Sequence, residues 1–202
     1  MNKRSLTRFL LPLGFQLALI CAMPAQAIYT HLTGETVILQ TAPVDPYDLL
    51  RGYSQTLRYE ISPLQAVQAL PGWETVVRQT HRLDETLPPN GTTVYVILQA
   101  PNTENKTSPP TPWRAIAIRH QPPVDLADNQ VAIQGQLNNN WVDYGLEQYY
   151  FPEAQREKIN DKINQLQNNR NDERPFVVEV KVDEGGNAIP ISLWLGNENY
   201  RF

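Results

Sequence analysis

The sequence predicts a mainly β fold of the α+β class, an antiparallel sandwich or partly open barrel of about seven or eight strands. One packed helix near 152–168 and an N-terminal hydrophobic helix complete the expected architecture. Three observations carry this reading. Seventeen prolines stand against ten glycines, a loop inventory suited to short strands joined by fixed turns. Short runs rich in β-branched and aromatic residues recur between turn residues, as at Thr92–Leu98 and Phe176–Val182. Beyond the N-terminus, only the stretch opened by Pro152 sustains a long helical stripe.

Composition sets the outer limits. The chain has 202 residues, of which 41% are hydrophobic and 19% charged, so it can bury a core and is not disordered throughout. Its length suits one β-rich domain over 34–202, preceded by a signal peptide or signal anchor over 1–33. The formal charge of -4 leaves no basic footprint, and nucleic acid is not expected as a partner. Cys21, the single cysteine, lies in the apolar N-terminal run, so the domain itself holds neither a disulfide nor a thiol.

At the N-terminus, Lys3, Arg4 and Arg8 precede an apolar run from Phe9 to Ile28. That charge asymmetry predicts a cytoplasmic N-terminus with the rest extracytoplasmic. Retained, the run anchors the chain in the membrane, for which roughly 20 apolar residues are needed. Cleaved after Ala25-Gln-Ala27, a small-x-small site behind Pro24, it releases a secreted domain.

Thr36–Gln40 reads as a strand, and Tyr53–Tyr59 as the next. Between them Pro43 and Pro46 fix two φ angles, Asp48 can cap a turn and Gly52 can end it. The period of two puts Tyr53, Gln55, Leu57 and Tyr59 on a buried face and Ser54, Thr56, Arg58 and Glu60 on a wet one. Ser62 and Pro63 open a short helix, and 73–79 is ambiguous between helix and strand. Thr92–Leu98 and Trp113–His120 flank a breaker-rich loop as an antiparallel hairpin; Ile116 and Ile118 share one face. Gln130–Leu137 and Trp141–Gly145 form a second hairpin across Asn138–Asn140, where Asn tolerates a left-handed conformation. The helix from Pro152 carries the stripe Ile159, Ile163 and Leu166. Phe176–Val182 and Ala188–Leu195 make a terminal hairpin, with an edge pairing near Tyr200.

Two motifs stand out. The first is Pro43-Val-Asp-Pro46 followed by Arg51-Gly-Tyr-Ser-Gln-Thr-Leu-Arg-Tyr59, and the second is Tyr144-Gly-Leu-Glu-Gln-Tyr-Tyr-Phe-Pro-Glu153. In these the chain resembles the GDYXXLXY bacterial protein family, which is uncharacterised. Gly52, Leu57 and Tyr59 match the signature, while Tyr53 and Ser54 stand where it has Asp and Tyr. The resemblance implies export or membrane anchoring and no known activity.

The candidate binding residues are Asp45, Arg51, Tyr53, Tyr59, Tyr144, Glu147 and Glu153, taken from the two motifs. No catalytic residue, metal ligand or cofactor is expected. His31, His81 and His120 lie far apart and lack metal-ligand spacing. None of the domain's lysines reads as a desolvated base for a serine nucleophile. The expected function is a non-catalytic interaction module of the cell envelope, touching the membrane through its N-terminal segment and an envelope protein through the domain. Two alternatives are an envelope hydrolase using Asp45, Asp48, Glu147 or Glu153, and a small-ligand barrel with a cavity near Tyr53, Tyr59 and Trp141.

Overall fold

The computed structural model describes residues 3–41, 54–80, 87–102, 107–150, 156–168 and 176–201. Helix α1, Lys3–Thr33, is followed by strand β1, Glu35–Gln40, and by β2, Ser54–Thr56. Helices α2, Leu64–Gln68, and α3, Trp73–Thr80, come next. Strands β3, Thr92–Gln99, β4, Arg114–Arg119, β5, Gln130–Asn138, β6, Trp141–Asp143, and β7, Gln148–Tyr150, then lead to helix α4, Arg156–Asn168. Strands β8, Phe176–Val182, β9, Ala188–Leu195, and β10, Glu198–Arg201, close the order.

The fold is mostly β. One four-stranded antiparallel sheet runs β1-β8-β9-β10 and another runs β4-β3-β5-β6, with β2 and β7 as a separate pair. Neither large sheet closes on itself, so the partly open barrel gives way to two open sheets. The ten strands among the described residues exceed the seven or eight expected, because β2, β6, β7 and β10 are only three or four residues long. Val37, Leu39, Val178, Val180, Leu193 and Leu195 from the first sheet share one core with Val94, Val96, Leu98, Ile118 and Ile133 from the second. Each such side chain contributes about 1.5–3 kcal/mol on burial. The Trp113 N–H donates to the Ile38 carbonyl at 2.8 Å and ties the β4 end of one sheet to the β1 edge of the other.

The three expected hairpins form. The β5–β6 turn uses Asn139 at φ 53°, and β9 pairs onward with β10. A register shift opposite Ile97/Leu98 leaves Ile116 out of the β3–β4 ladder. The alternation therefore breaks: Ile118 joins the main core, while Ile116 packs with Tyr95 and Ile97 on the other face. The helix expected near 152–168 is described from Arg156, and Ile159 and Ile163 bury its stripe. Both Lys158 and Lys162 on its other side pair with Glu198. The ambiguous stretch 73–79 is helical, with Val76 buried on its inner face.

Thr36–Gln40 and Tyr53–Tyr59 do not pair as a hairpin. β1 pairs with β8, and β2 pairs with β7. Their one bridge is Thr41 with Tyr59, beside a bond from Glu60 N–H to the Gln40 carbonyl at 3.1 Å. The N-terminal run is helical and carries Pro12 and Pro24 inside it. Among the described residues no single helix is long and apolar enough to cross a membrane; the arms Leu10–Ala22 and Pro24–Thr33, bent 44° to each other, meet that length and composition only together. Pro24 supplies the cause of the bend by removing a backbone donor and crowding the preceding turn.

Candidate functional site

The two sequence motifs meet in space. Strand β2 of the first pairs antiparallel with β7 of the second, Gln55 opposite Tyr149. Beyond the pair, the Leu57 N–H donates to the Glu147 carbonyl at 2.8 Å. The chain then leaves the ladder, and two tyrosines lock it. The Tyr59 hydroxyl donates to the Leu146 carbonyl at 2.7 Å, and the Tyr144 hydroxyl donates to the Ile61 carbonyl at 2.8 Å. Leu57, Tyr59, Tyr144 and Leu146 are all buried. The Leu and final Tyr of the signature are thus packing and clamping residues.

Glu147 serves the same junction. Its Oε1 accepts the Tyr144 N–H at 2.7 Å across the turn that Gly145 makes at φ 74°. Burial pushes the Glu147 carboxyl above its ordinary value; nearby backbone N–H groups pull it back and the Asp143 charge adds to the rise. Burial, and then the Glu147 charge, hold the Tyr144 phenol well above 10.0. Gly135 leaves room for the ring, since a Cβ there would lie 2.4 Å from Val142 Cγ1 and 3.0 Å from two Tyr144 ring carbons. Outside the junction, the Arg58 guanidinium stacks 4.6 Å from the Trp141 ring centre.

A groove of about 750 Å³ opens between the end of β1, helix α2 and the segments flanking the β3–β4 loop. Leu39, Ile61, Leu70 and Trp113 give it apolar surface, and Glu60 and Arg114 give it both signs of charge. Gln40 is the unusual member. Its Nε2 donates to the carbonyls of Phe176 at 2.9 Å and Thr41 at 3.2 Å, which fixes the amide's orientation. Its Oε1 is then buried with no hydrogen-bond partner. A buried carbonyl left so costs about 1–3 kcal/mol.

Of the sequence-predicted site residues, Tyr59, Tyr144 and Glu147 come together at the junction. Asp45, Asp48, Arg51, Tyr53 and Glu153 lie outside the described residues. The cavity expected near Tyr59 and Trp141 is not a barrel interior: Tyr59 is fully buried in the core and Trp141 is half-buried under Arg58. His120 Nδ1 lies 2.9 Å from the Thr93 carbonyl, and His31 is exposed on α1, while His81 lies outside the described residues. Among the described residues no group of three or more His, Cys, Asp or Glu is placed to hold a metal ion. Gln40 and Asp183 escaped the sequence reading, one as an ordinary strand residue and the other as a turn residue. Each has partners far away in sequence, Phe176 for Gln40 and the side chains of Gln26 and Thr30 for Asp183, and no local pattern signals them.

No curated protein and no solved structure matches the chain. The sequence profile described as GDYXXLXY protein matches residues 16–193, most of the chain. The chain therefore belongs to the GDYXXLXY protein family.

Proposed function

We propose that this chain is a membrane-tethered, extracytoplasmic β domain that serves the cell envelope as a non-catalytic binding module. We read its two sheets as the layers of an open sandwich and the groove beside Gln40 as its binding surface. Its occupant is an extended peptide segment of an envelope protein. The observation that carries this reading is the groove itself, where Leu70 and Trp113 lie beside Gln40, Glu60 and Arg114. The alternating side chains of an extended segment suit a surface with both apolar and charged patches. The envelope setting rests on Lys3, Arg4 and Arg8 ahead of an apolar helix whose Leu10, Leu11, Phe15, Leu17, Leu19 and Ile20 are exposed. Cleavage near Ala27, with secretion, is the alternative and leaves the groove intact, because every residue lining it follows that point.

A photo-crosslinking amino acid in place of Trp113 tests the reading in intact cells. The expected result is an adduct with an envelope protein, mapped to an extended segment and lost when Gln40→Leu is added. Crosslinking no stronger than from Val124, an exposed position outside the groove, would overturn it.

A second reading, the envelope hydrolase, has the desolvated Glu147 carboxyl in its favour. That carboxylate already accepts the Tyr144 N–H, which supports a structural role. A stable Glu147→Gln chain that no longer releases soluble fragments from purified envelopes, where the unaltered chain does, would establish the hydrolase instead.

A further inference from the structure

The junction between helix and domain is one residue long. Helix α1 ends at Thr33, Gly34 follows, and β1 starts at Glu35, which pairs at once with Val182. Gly34 is packed so closely that a Cβ would lie 2.5 Å from the Thr30 carbonyl oxygen and 3.0 Å from the Val182 backbone. Lys181 Nζ donates to the Gly34 carbonyl at 2.8 Å.

Asp183 holds the helix itself. It is only 5% exposed. Its Oδ1 accepts the N–H groups of Gly185 at 2.9 Å and Asn187 at 3.0 Å, building the β8–β9 turn. Its Oδ2 reaches out of the turn to helix α1, accepting the Thr30 hydroxyl at 2.7 Å and the Gln26 amide at 2.8 Å. Thr30 is fully buried by this contact. The opposite side of the same two turns is bare and apolar: Ile28, Tyr29 and Leu32 are 55%, 49% and 74% exposed.

That bare face continues the exposed apolar surface of the first arm down to the body of the domain. By helix rise, Leu10–Ala22 is about 20 Å long and Pro24–Thr33 about 15 Å. With the 44° bend between them, the pair spans about 31 Å along the first arm, close to the roughly 30 Å hydrocarbon thickness of a bilayer. Leu32 then sits at the hydrocarbon edge and the β8–β9 turn at headgroup depth. Tyr29, apolar with a polar tip, suits that interface. The charges agree, with Lys3, Arg4 and Arg8 before the first arm and Glu35 and Glu184 beyond the end of the second.

We propose that Pro24–Gly34 and the Asp183–Asn187 turn form a rigid seat on a lipid surface. Lipid meets Ile28, Tyr29 and Leu32, while Asp183 bolts the other face of the same helix to the sheet. The domain therefore rests on the headgroups at one orientation instead of swinging on a tether. This rests on the membrane-tethered reading above, and the test separates the two.

The test uses the full chain with Cys21→Ser, mixed with phosphatidylcholine–phosphatidylglycerol vesicles carrying a headgroup quencher. A fluorophore is attached through Glu184→Cys in the β8–β9 turn, or through Asn197→Cys at the far end of β9; both positions are exposed. The expected result is co-flotation with the vesicles and several-fold stronger quenching at the turn than at the far end. Asp183→Ala, and independently the near-isosteric Thr30→Val, are expected to leave flotation intact and to narrow that contrast. Flotation with equal quenching at both positions overturns the seat alone. Failure to float overturns the membrane tether and the seat with it.

Discussion

Tyr59 and Tyr144 exchange hydroxyl contacts between two distant stretches of the chain: Tyr59 donates to the Leu146 carbonyl and Tyr144 to the Ile61 carbonyl, at 2.7 and 2.8 Å. Each ring is rooted in one motif; Tyr59 satisfies a carbonyl inside the other, and Tyr144 one two residues beyond the other. Replacing either by phenylalanine keeps the packing and removes a donor from a buried site. Tyr59→Phe and Tyr144→Phe should each cost about 1–3 kcal/mol in urea unfolding. Because they close one junction, the double variant should depart from additivity by at least about 0.5 kcal/mol.

Gly135 tests the same junction from beneath. Gly135→Ala drives a methyl group against Val142 and the Tyr144 ring. Overpacking of this kind costs about 1–3 kcal/mol. The expected readout is a lowered denaturation midpoint together with a changed near-ultraviolet circular dichroism spectrum, since an aromatic ring must move.

Glu147 gives a pH signature. Its folded-state pKa is raised, first by burial, so the folded chain holds that proton more tightly than the unfolded chain. The stabilising contribution is complete below the ordinary value of 4.5 and disappears as pH rises through the higher folded value. Glu147→Gln keeps an acceptor for the Tyr144 N–H and carries no charge to desolvate. The variant should therefore gain stability relative to the unaltered chain as pH rises from 4 to 8, measured by denaturant midpoints. A constant difference across that range would show that the carboxylate carries no desolvation penalty.

Glu198 behaves in the opposite sense. The hydrogen bond from Lys162, then that from Tyr200, draws its carboxyl down from 4.5 to about 2. Its stabilising contribution is present above 4.5 and is lost as pH falls through that window toward 2. Lys162 Nζ lies 2.7 Å from Oε1 and Lys158 Nζ lies 3.6 Å from Oε2, tying α4 to β10. Glu198→Gln should flatten the acid limb of the stability profile. The site is exposed, so added salt should shrink the effect.

Local signals carried the sequence reading, and non-local ones limited it. The β3–β4, β5–β6 and β8–β9 hairpins were legible because turn residues sit between matched alternating runs, as Asn139 does in its left-handed turn. The stripe of α4 was legible from the spacing of Ile159 and Ile163. The pairing of β1 with β8 was not, since periodicity assigns a strand its faces and not its neighbour. Strands β1 and β2, read only as neighbours along the chain, each pair with a segment far from them in sequence. At the site, Tyr59, Tyr144 and Glu147 were found through their motifs, and the hydrogen bonds they make there join the two stretches. Gln40 was hidden because its free carbonyl arises only when the Thr41 and Phe176 carbonyls have claimed the other end of its amide.

Gly34 also couples two periodicities. The helix turns about 100° per residue, and the strand alternates its faces at every residue. With one residue between them, an insertion or deletion at the junction cannot be absorbed as slack. It must either rotate the exposed apolar side of the helix around toward the sheet or slip β1 by one position, sending Val37 and Leu39 out of the core. Helical phase and strand register are therefore inherited together, and the junction sets the azimuth at which the domain is presented.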